Sequence, residues 1–325
     1  MRVDLCVFGE ENGGIKARLE GVLAQVGLRI DGAYYDPDAA VYSSVYNSAD
    51  YLFVFGVAPV KSRFNGSYLF SSSVLDGAAE NKIITELKEK FSYKSERIVF
   101  SLYGNIANEL YSVTNRISAD NGHIGFYIRQ NDRRFTVDFL VKNSVSPIEL
   151  DGALKTFITT FSKEIYADED VSVEQRFFDV LKLYKRRVRF AESMTGGNIA
   201  ATIVKLPGAT EVVYEGFVTY DTRSKYERLG VSEQTVKDYT VVSGEVAYQM
   251  VSALIDENAS VGIAITGYAP SLRKNENDGL CYIGVAVEES VKVYRFVFSG
   301  DRETVIKKAT EAAIFSALKL VLTKG

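Results

Sequence analysis

The chain has 325 residues, 46% hydrophobic and 25% charged, with a net charge of −4. That is an ordinary globular composition, long enough for two or three domains, with no general electrostatic attraction to nucleic acid or to an anionic membrane. One histidine, His123, and two cysteines far apart, Cys6 and Cys281, leave little material for a histidine-based triad, a multi-histidine zinc site or a disulfide framework. No apolar run approaches membrane-spanning length. The stretch from Met1 to Glu11 is too short and too acidic for a signal peptide, and the two distant cysteines fit a reducing cytoplasm; no cofactor is expected.

Residues 1–95 read as a small α/β unit. Val3 to Phe8 is an apolar strand. Ile15 to Val26 has helical periodicity, with Leu19, Val22 and Leu23 on one side. Tyr51 to Phe55 is a buried strand, Glu80 to Phe91 a helix, and the Ser-, Asn- and Gly-rich stretch Pro59 to Gly77 a loop. Residues 96–171 form a second unit of β-α-β-β-α order. Its elements are a strand from Ile98 to Tyr103, a helix from Ala107 to Ile117, and strands at Ile124 to Ile128 and Phe135 to Val141. An amphipathic helix follows from Glu149 to Ile165, with Leu150, Leu154, Phe157, Ile158 and Phe161 on its apolar side.

Residues 172–325 make the third unit. Ser172 and Glu174 start a helix that runs to about Arg186 and buries Phe177, Phe178, Val180, Leu181 and Tyr184. Ser243 caps a helix carrying Val246, Met250, Leu254 and Ile255, and Val261 to Ile265 is a small buried strand. Cys281 to Val287 and Val291 to Val297 form a hairpin across Glu288-Glu289-Ser290, and Arg302 to Leu322 closes the unit as a helix. Helices flanking mixed strands give a layered α/β/α domain.

The third unit turns on the stretch from Val188 to Lys225. Val188 and Phe190 alternate as a strand that ends at Ala191-Glu192-Ser193. Gly196-Gly197 then turns the chain into a helix marked by Ile199, Ala200, Ile203 and Val204. A second alternating run, Phe217 to Tyr220, delivers Tyr220 and, five residues later, Lys225. A serine hydroxyl is a poor nucleophile until a neighbour takes its proton. Lysine does so only when burial or nearby cations lower its pKa. The backbone N–H groups of Thr195-Gly196-Gly197 offer stabilisation to an oxyanion. On residue types alone the plainer assignment is that Ser193 caps a helix, Tyr220 is core and Lys225 is solvated.

The ordered motifs narrow the choice. Ala191-Glu192-Ser193-Met194-Thr195-Gly196-Gly197 comes first, then Leu206-Pro207-Gly208-Ala209-Thr210. Gly216-Phe217-Val218-Thr219-Tyr220 follows, with Lys225 after it, and later Phe298-Ser299-Gly300-Asp301-Arg302. Together, over roughly residues 172–325, they resemble the C-terminal domain of CinA, the bacterial nicotinamide-nucleotide amidohydrolase family. The resemblance implies a catalytic set of Ser193, Tyr220 and Lys225. It implies deamidation of nicotinamide mononucleotide to nicotinate mononucleotide and ammonia, without a metal. Either Lys225 or Tyr220 takes the serine proton. A homo-oligomer is implied as well. By position, residues 1–95 are similar to a reduced molybdopterin-binding-like domain. Phe55 to Lys61 lacks the aspartates that domain carries there, so its pyrophosphatase activity is expected to be lost. Residues 96–171 resemble the KH-like linker of the same family but lack a Gly-x-x-Gly loop and end in the acidic stretch Glu164 to Asp170, so a domain spacer or dimerisation module is expected in preference to an RNA-binding module.

Two departures bear on the site. Met194 stands where the family usually has cysteine, a change of packing more than of chemistry. After the strand Val261 to Ile265, the family's glycine-rich loop is replaced by a shorter run, Thr266-Gly267-Tyr268-Ala269-Pro270-Ser271-Leu272-Arg273-Lys274. Glycines there would let backbone amides approach a phosphate. Here the expected substrate-binding residues are Thr195, Gly196, Gly197, Thr266, Gly267, Arg273 and Arg302. Arg302 either pairs with Asp301 or Glu303 or meets a substrate phosphate. The competing reading is a non-catalytic nucleotide-binding or scaffold protein whose substrate loop has degraded.

Overall fold

Apolar runs rich in Val, Ile, Phe and Tyr become strands because such side chains pack well on a pleated, half-buried surface, and three sheets result. A computed structural model describes residues 3–8, 14–24, 28–49, 51–56, 67–70, 75, 77–90, 98–271 and 276–324. The chain divides into two compact units, Met1–Asp170 and Val171–Gly325.

The first unit holds two sheets. In one, β1 (Val3–Val7), β2 (Gly32–Tyr35), β3 (Tyr51–Phe55) and β4 (Ser67–Phe70) are parallel in the order β2-β1-β3-β4. Their helices are α1 (Ile15–Ala24), α2 (Ala39–Ser48) and α3 (Gly77–Lys90). Leu19, Val22 and Leu23 of α1 join Val3, Leu5 and Phe53 in one core. The stretch read as loop between Pro59 and Gly77 contains β4, a four-residue strand that pairs with β3. A run so short, set among Ser, Asn and Gly, carries too little periodicity to stand out.

In the other sheet, β5 (Ile98–Tyr103), β6 (Ile124–Asn131), β7 (Arg134–Val141) and β8 (Ile165–Ala167) are antiparallel in the order β6-β7-β5-β8. Helices α4 (Ala107–Asp120) and α5 (Pro147–Thr160) accompany them. The expected helix to Ile165 stops earlier. The Phe161 carbonyl accepts from the amides of Glu164 and Ile165, reversing the chain so that Ile165 enters β8. Ile158 is exposed while Phe157 and Phe161 are buried.

The second unit is a three-layer α/β/α domain. Its elements are α6 (Val173–Leu183), β9 (Val188–Glu192), α7 (Asn198–Val204), β10 (Val213–Val218), α8 (Thr222–Leu229), α9 (Glu233–Tyr239), α10 (Gly244–Ser252), β11 (Val261–Gly267), β12 (Leu280–Val287), β13 (Ser290–Val297) and α11 (Arg302–Lys324). The sheet order is β10-β9-β11-β12-β13. The first three strands are parallel, and β12 and β13 are antiparallel. Helices α6, α7 and α11 pack together. Val246, Met250 and Val251 of α10 pack on Ala191, Ala264 and Ala286, whose small side chains let the helix approach the sheet. Ser172 caps α6 through the Gln175 amide. Phe177, Phe178, Val180 and Leu181 are buried as expected, but Tyr184, the C-cap, faces outward at the helix end.

This topology places the site. From β9 the chain crosses through α7 to β10 on one side. It then returns through α8, α9 and α10 to β11 on the other side. The connections therefore part at the carboxyl end of β9, where an open α/β sheet leaves a crevice. Ser193 is the first residue beyond β9.

Candidate active site

Three parallel strand ends supply the groups. The backbone at Ser193 is still anchored to both neighbours. The Ser193 amide donates to the Ile265 carbonyl (3.2 Å), and the Thr219 amide donates to the Glu192 carbonyl (2.8 Å). Beyond Ser193 the chain turns sharply through Gly196 (φ 60°) and Gly197 (φ 99°). Both are left-handed conformations that other residues adopt only with strain.

Lys225 comes from α8, one turn after β10. The helix starts at the Asp221 cap, whose carboxylate accepts from the Arg223 amide (2.8 Å). Lys225 sits on the inward side of α8, only 1% exposed, which overturns the solvated assignment. Its Nζ donates to Ser193 Oγ (3.1 Å), to the Thr219 carbonyl (2.5 Å) and more distantly to the Tyr220 carbonyl (3.5 Å). Burial pushes the ammonium down from its ordinary 10.5 to about 8, opposed weakly by Asp221. No carboxylate forms an ion pair with it among the described residues. In the neutral amine, two N–H bonds face carbonyl oxygens and the lone pair is left for the serine proton, which is the arrangement a general base needs.

Tyr220 is not beside this pair. Its side chain is 60% exposed, which corrects the core assignment. It is delivered as the period-2 pattern predicts, with Phe217 and Thr219 facing in and Val218 and Tyr220 facing out. Its hydroxyl accepts from Arg302 Nη2 (2.9 Å). Arg302 Nη1 donates to the carbonyls of Ala269 and Pro270, both at 3.1 Å. The expected pairing of Arg302 with Asp301 or Glu303 is not formed. Asp301 instead caps α11, accepting from the Thr304 amide (2.8 Å), and the Thr304 hydroxyl together with that amide holds its carboxyl below the usual range. Arg302 therefore joins the end of β10, the segment after β11 and the start of α11 through three neutral oxygens, with no carboxylate paired to it among the described residues.

A cavity of about 780 Å³ opens here. Thr195, Gly196, Gly197 and Asn198 line one side, and Arg302 and Lys307 the other. That is a volume typical of a small-molecule site. Ser193 (8% exposed) is not on its wall, but Thr195, two residues on, is. The hydroxyls of Thr195 and Thr219 are buried without a hydrogen-bond partner.

Of the turn amides expected to receive an oxyanion, two are already engaged. The Gly196 amide donates to the Ser193 carbonyl (3.0 Å), and the Gly197 amide to Glu192 Oε2 (3.1 Å). Among the described residues, the amides of Met194 and Thr195 have no protein acceptor. Thr266 donates its hydroxyl to the Val241 carbonyl (2.8 Å), which ties β11 to the turn before α10. Gly267 is a close-packing position. A Cβ there would meet Met194 Sδ at 2.3 Å and Cys281 Cβ at 2.5 Å, so its bareness makes room for the methionine that follows Ser193. Arg273 lies outside the described residues.

Glu192 has no role among the expected site residues. It is 1% exposed, and its carboxylate accepts from the amides of Gly197, Ile199 and Ala200. The available signal was a carboxylate ending a strand that alternates apolar residues at Val188 and Phe190. The Arg302–Tyr220 contact, between residues 82 apart in the chain, left no local signal. No group of three or more His, Cys, Asp or Glu side chains that could hold a metal stands among the described residues. No helix among them is long and apolar enough to cross a membrane.

Residues 170–321 match a family model described as the CinA C-terminal domain. A putative competence-damage inducible protein of Caldicellulosiruptor saccharolyticus is 38% identical over 161 residues, covering 49% of this chain and 39% of the relative. A CinA-like protein of Fusobacterium nucleatum is 31% identical over 201 residues, covering 58% of this chain and 49% of the relative. The matches thus span less than half the length of these curated relatives. Among solved structures, a competence-damaged protein (CinA) superfamily protein from Escherichia coli is 30% identical, with a TM-score of 0.43, covering 46% of this chain and 88% of that one.

Proposed function

We propose, for a chain whose residues 170–321 match the CinA C-terminal domain, a serine amidohydrolase in which Ser193 is the nucleophile and Lys225 its base. The observation that carries this reading is the buried Lys225 amine 3.1 Å from Ser193 Oγ, with a pKa lowered to about 8. The substrate proposed is nicotinamide mononucleotide, in keeping with the motif resemblance. The protein would act without a cofactor, as a cytoplasmic homo-oligomer. Ahead of this domain we place a reduced molybdopterin-binding-like unit over 1–95 and a KH-like spacer over 96–171.

In this mechanism neutral Lys225 takes the Ser193 proton as Oγ attacks the carboxamide carbon. The amides of Met194 and Thr195 receive the developing oxyanion. The lysine ammonium then returns a proton to the leaving nitrogen, ammonia departs, and an acyl-serine remains. Lys225 next takes a proton from water, which attacks the acyl carbon and releases the acid and free Ser193. Arg302, with no carboxylate partner among the described residues, meets the substrate's phosphate at the cavity wall. Tyr220 acts there with it, as a substrate-side group, not as the base.

The test is ammonia release from nicotinamide mononucleotide by the full chain, with Ser193→Ala as the control. Release that the substitution abolishes supports the assignment, and release that survives it overturns it. Ligand-induced thermal stabilisation without release would move the protein to the non-catalytic nucleotide-binding reading.

A further inference from the structure

The turn between β9 and α7 is closed by one side chain. Helix α7 has only seven residues, and its N-cap is Gly197, which has no side chain to satisfy the first amides. Those donors are costly to leave unpaired in a buried place. Glu192, the last residue of β9, reaches over the turn to its far end. Oε2 accepts from the amides of Gly197 (3.1 Å) and Ile199 (3.0 Å), and Oε1 accepts from the amide of Ala200 (2.8 Å). Its own backbone stays fixed in the sheet, with its carbonyl accepting from the Thr219 amide (2.8 Å). The segment from Ser193 to Asn198 is therefore held at both ends by one residue, through its backbone in the sheet and its carboxylate on α7.

We infer that Glu192 is the positioning residue of the nucleophile turn. By occupying the α7 amides it excludes them from substrate contact, and it leaves Met194 and Thr195 as the turn amides open to an oxyanion. The glycines provide the sharp reversal, and the carboxylate holds it in one geometry. A carboxylate suits this place because it presents only acceptors, and it sits at the positive end of a helix. The inference builds on the amidohydrolase reading for its kinetic consequences but not for its structural one.

The discriminating variant is Glu192→Gln in the full chain, with Glu192→Asp as a second. Glutamine keeps the size but turns an N–H₂ group toward backbone donors. Aspartate keeps the charge but falls short of the three amides. The expected result is faster hydrogen exchange at the Gly197, Ile199 and Ala200 amides by about tenfold or more, as for a lost charged hydrogen bond. Phosphonylation of Ser193 by an organofluorophosphonate slows by a similar factor. The kcat for ammonia release falls about tenfold or more while KM changes by less than about threefold, as for a displaced reacting group. A purely structural role would lower the melting temperature without that split. Unchanged exchange in a folded variant overturns the proposal, as does phosphonylation of Ser193 at the wild-type rate. If Glu192→Gln does not fold, Glu192→Asp decides by the same readouts. If Ser193 reacts in neither wild type nor variant, the amidohydrolase reading falls by itself. Exchange then decides alone, with faster exchange supporting the staple and unchanged exchange overturning it.

Discussion

Lys225 is the residue on which the chemistry is most sharply testable. With its pKa at about 8, the amine is neutral in about a tenth of molecules at pH 7 and in about nine-tenths at pH 9. At its ordinary value it would be neutral in roughly 0.03% at pH 7, so burial raises the working fraction by about 300-fold. The rate of ammonia release should rise about tenfold between pH 7 and pH 9 and then level. Lys225→Met should reduce it by about 10²–10⁴-fold, the usual worth of a general base. Replacing the lysine should move stability the other way. The folded-state pKa lies below the unfolded one, so the protonated form opposes folding. The difference between 10.5 and about 8 amounts to ~3 kcal/mol. That cost is in full force below pH 8 and fades as pH rises toward 10.5. Methionine removes it but leaves the Thr219 carbonyl without its 2.5 Å donor, a loss of about 1–3 kcal/mol. Lys225→Met should therefore be inactive yet at least as stable as the wild type at pH 7 by urea denaturation, with any advantage shrinking by pH 10. A rate that is flat or falling from pH 7 to 9, or a variant that is both active and destabilised, would refute the assignment.

Other substitutions separate binding from chemistry. Arg302→Ala should raise KM about tenfold or more with kcat little changed, because a charged contact of ~1.5–3 kcal/mol is lost. Arg302→Lys should recover only part of this in steady-state kinetics, since a point charge cannot span the Tyr220, Ala269 and Pro270 oxygens. Tyr220→Phe should retain kcat within about threefold while weakening binding; a loss of about 10²-fold in kcat would transfer the base role to Tyr220. Gly267→Ala should destabilise by about 1–3 kcal/mol in denaturant titration, because the new Cβ overlaps Met194 Sδ, Cys281 Cβ and the Leu280 carbonyl. It should also lower kcat by shifting Met194, the neighbour of Ser193.

The outline of the second unit was legible because its elements are long and strongly patterned. The α6 face, the β12–β13 hairpin and α11 follow directly from apolar spacing, and Ser172 and Ser243 announce their helices as caps. Short elements were not legible. β4 is four residues long, β8 three, and α9 has no buried residue. In such segments tertiary pairing, not local periodicity, decides the structure.

The site shows the same division at the level of single residues. Ser193 is readable because a glycine turn after a strand has few purposes. Lys225 is readable only as a residue type, since nothing in Thr222–Leu229 reveals which side of α8 faces the sheet; mean burial of lysine argues for solvent. Its 1% exposure is a product of topology. Because β10 lies beside β9, the helix that follows β10 falls over the end of β9, and the fourth residue of that helix lands on Ser193. Once it lands there, the surroundings fix its chemistry. Burial lowers the pKa, two carbonyls orient the amine, and no carboxylate pairs with it among the described residues. Glu192, buried at the end of β9, spends its lone pairs on backbone amides and forms no ion pair among the described residues. Burial, opposed only by Asp221, brings the lysine down to about 8. A carboxylate bonded to Lys225 would hold it protonated and silence it as a base.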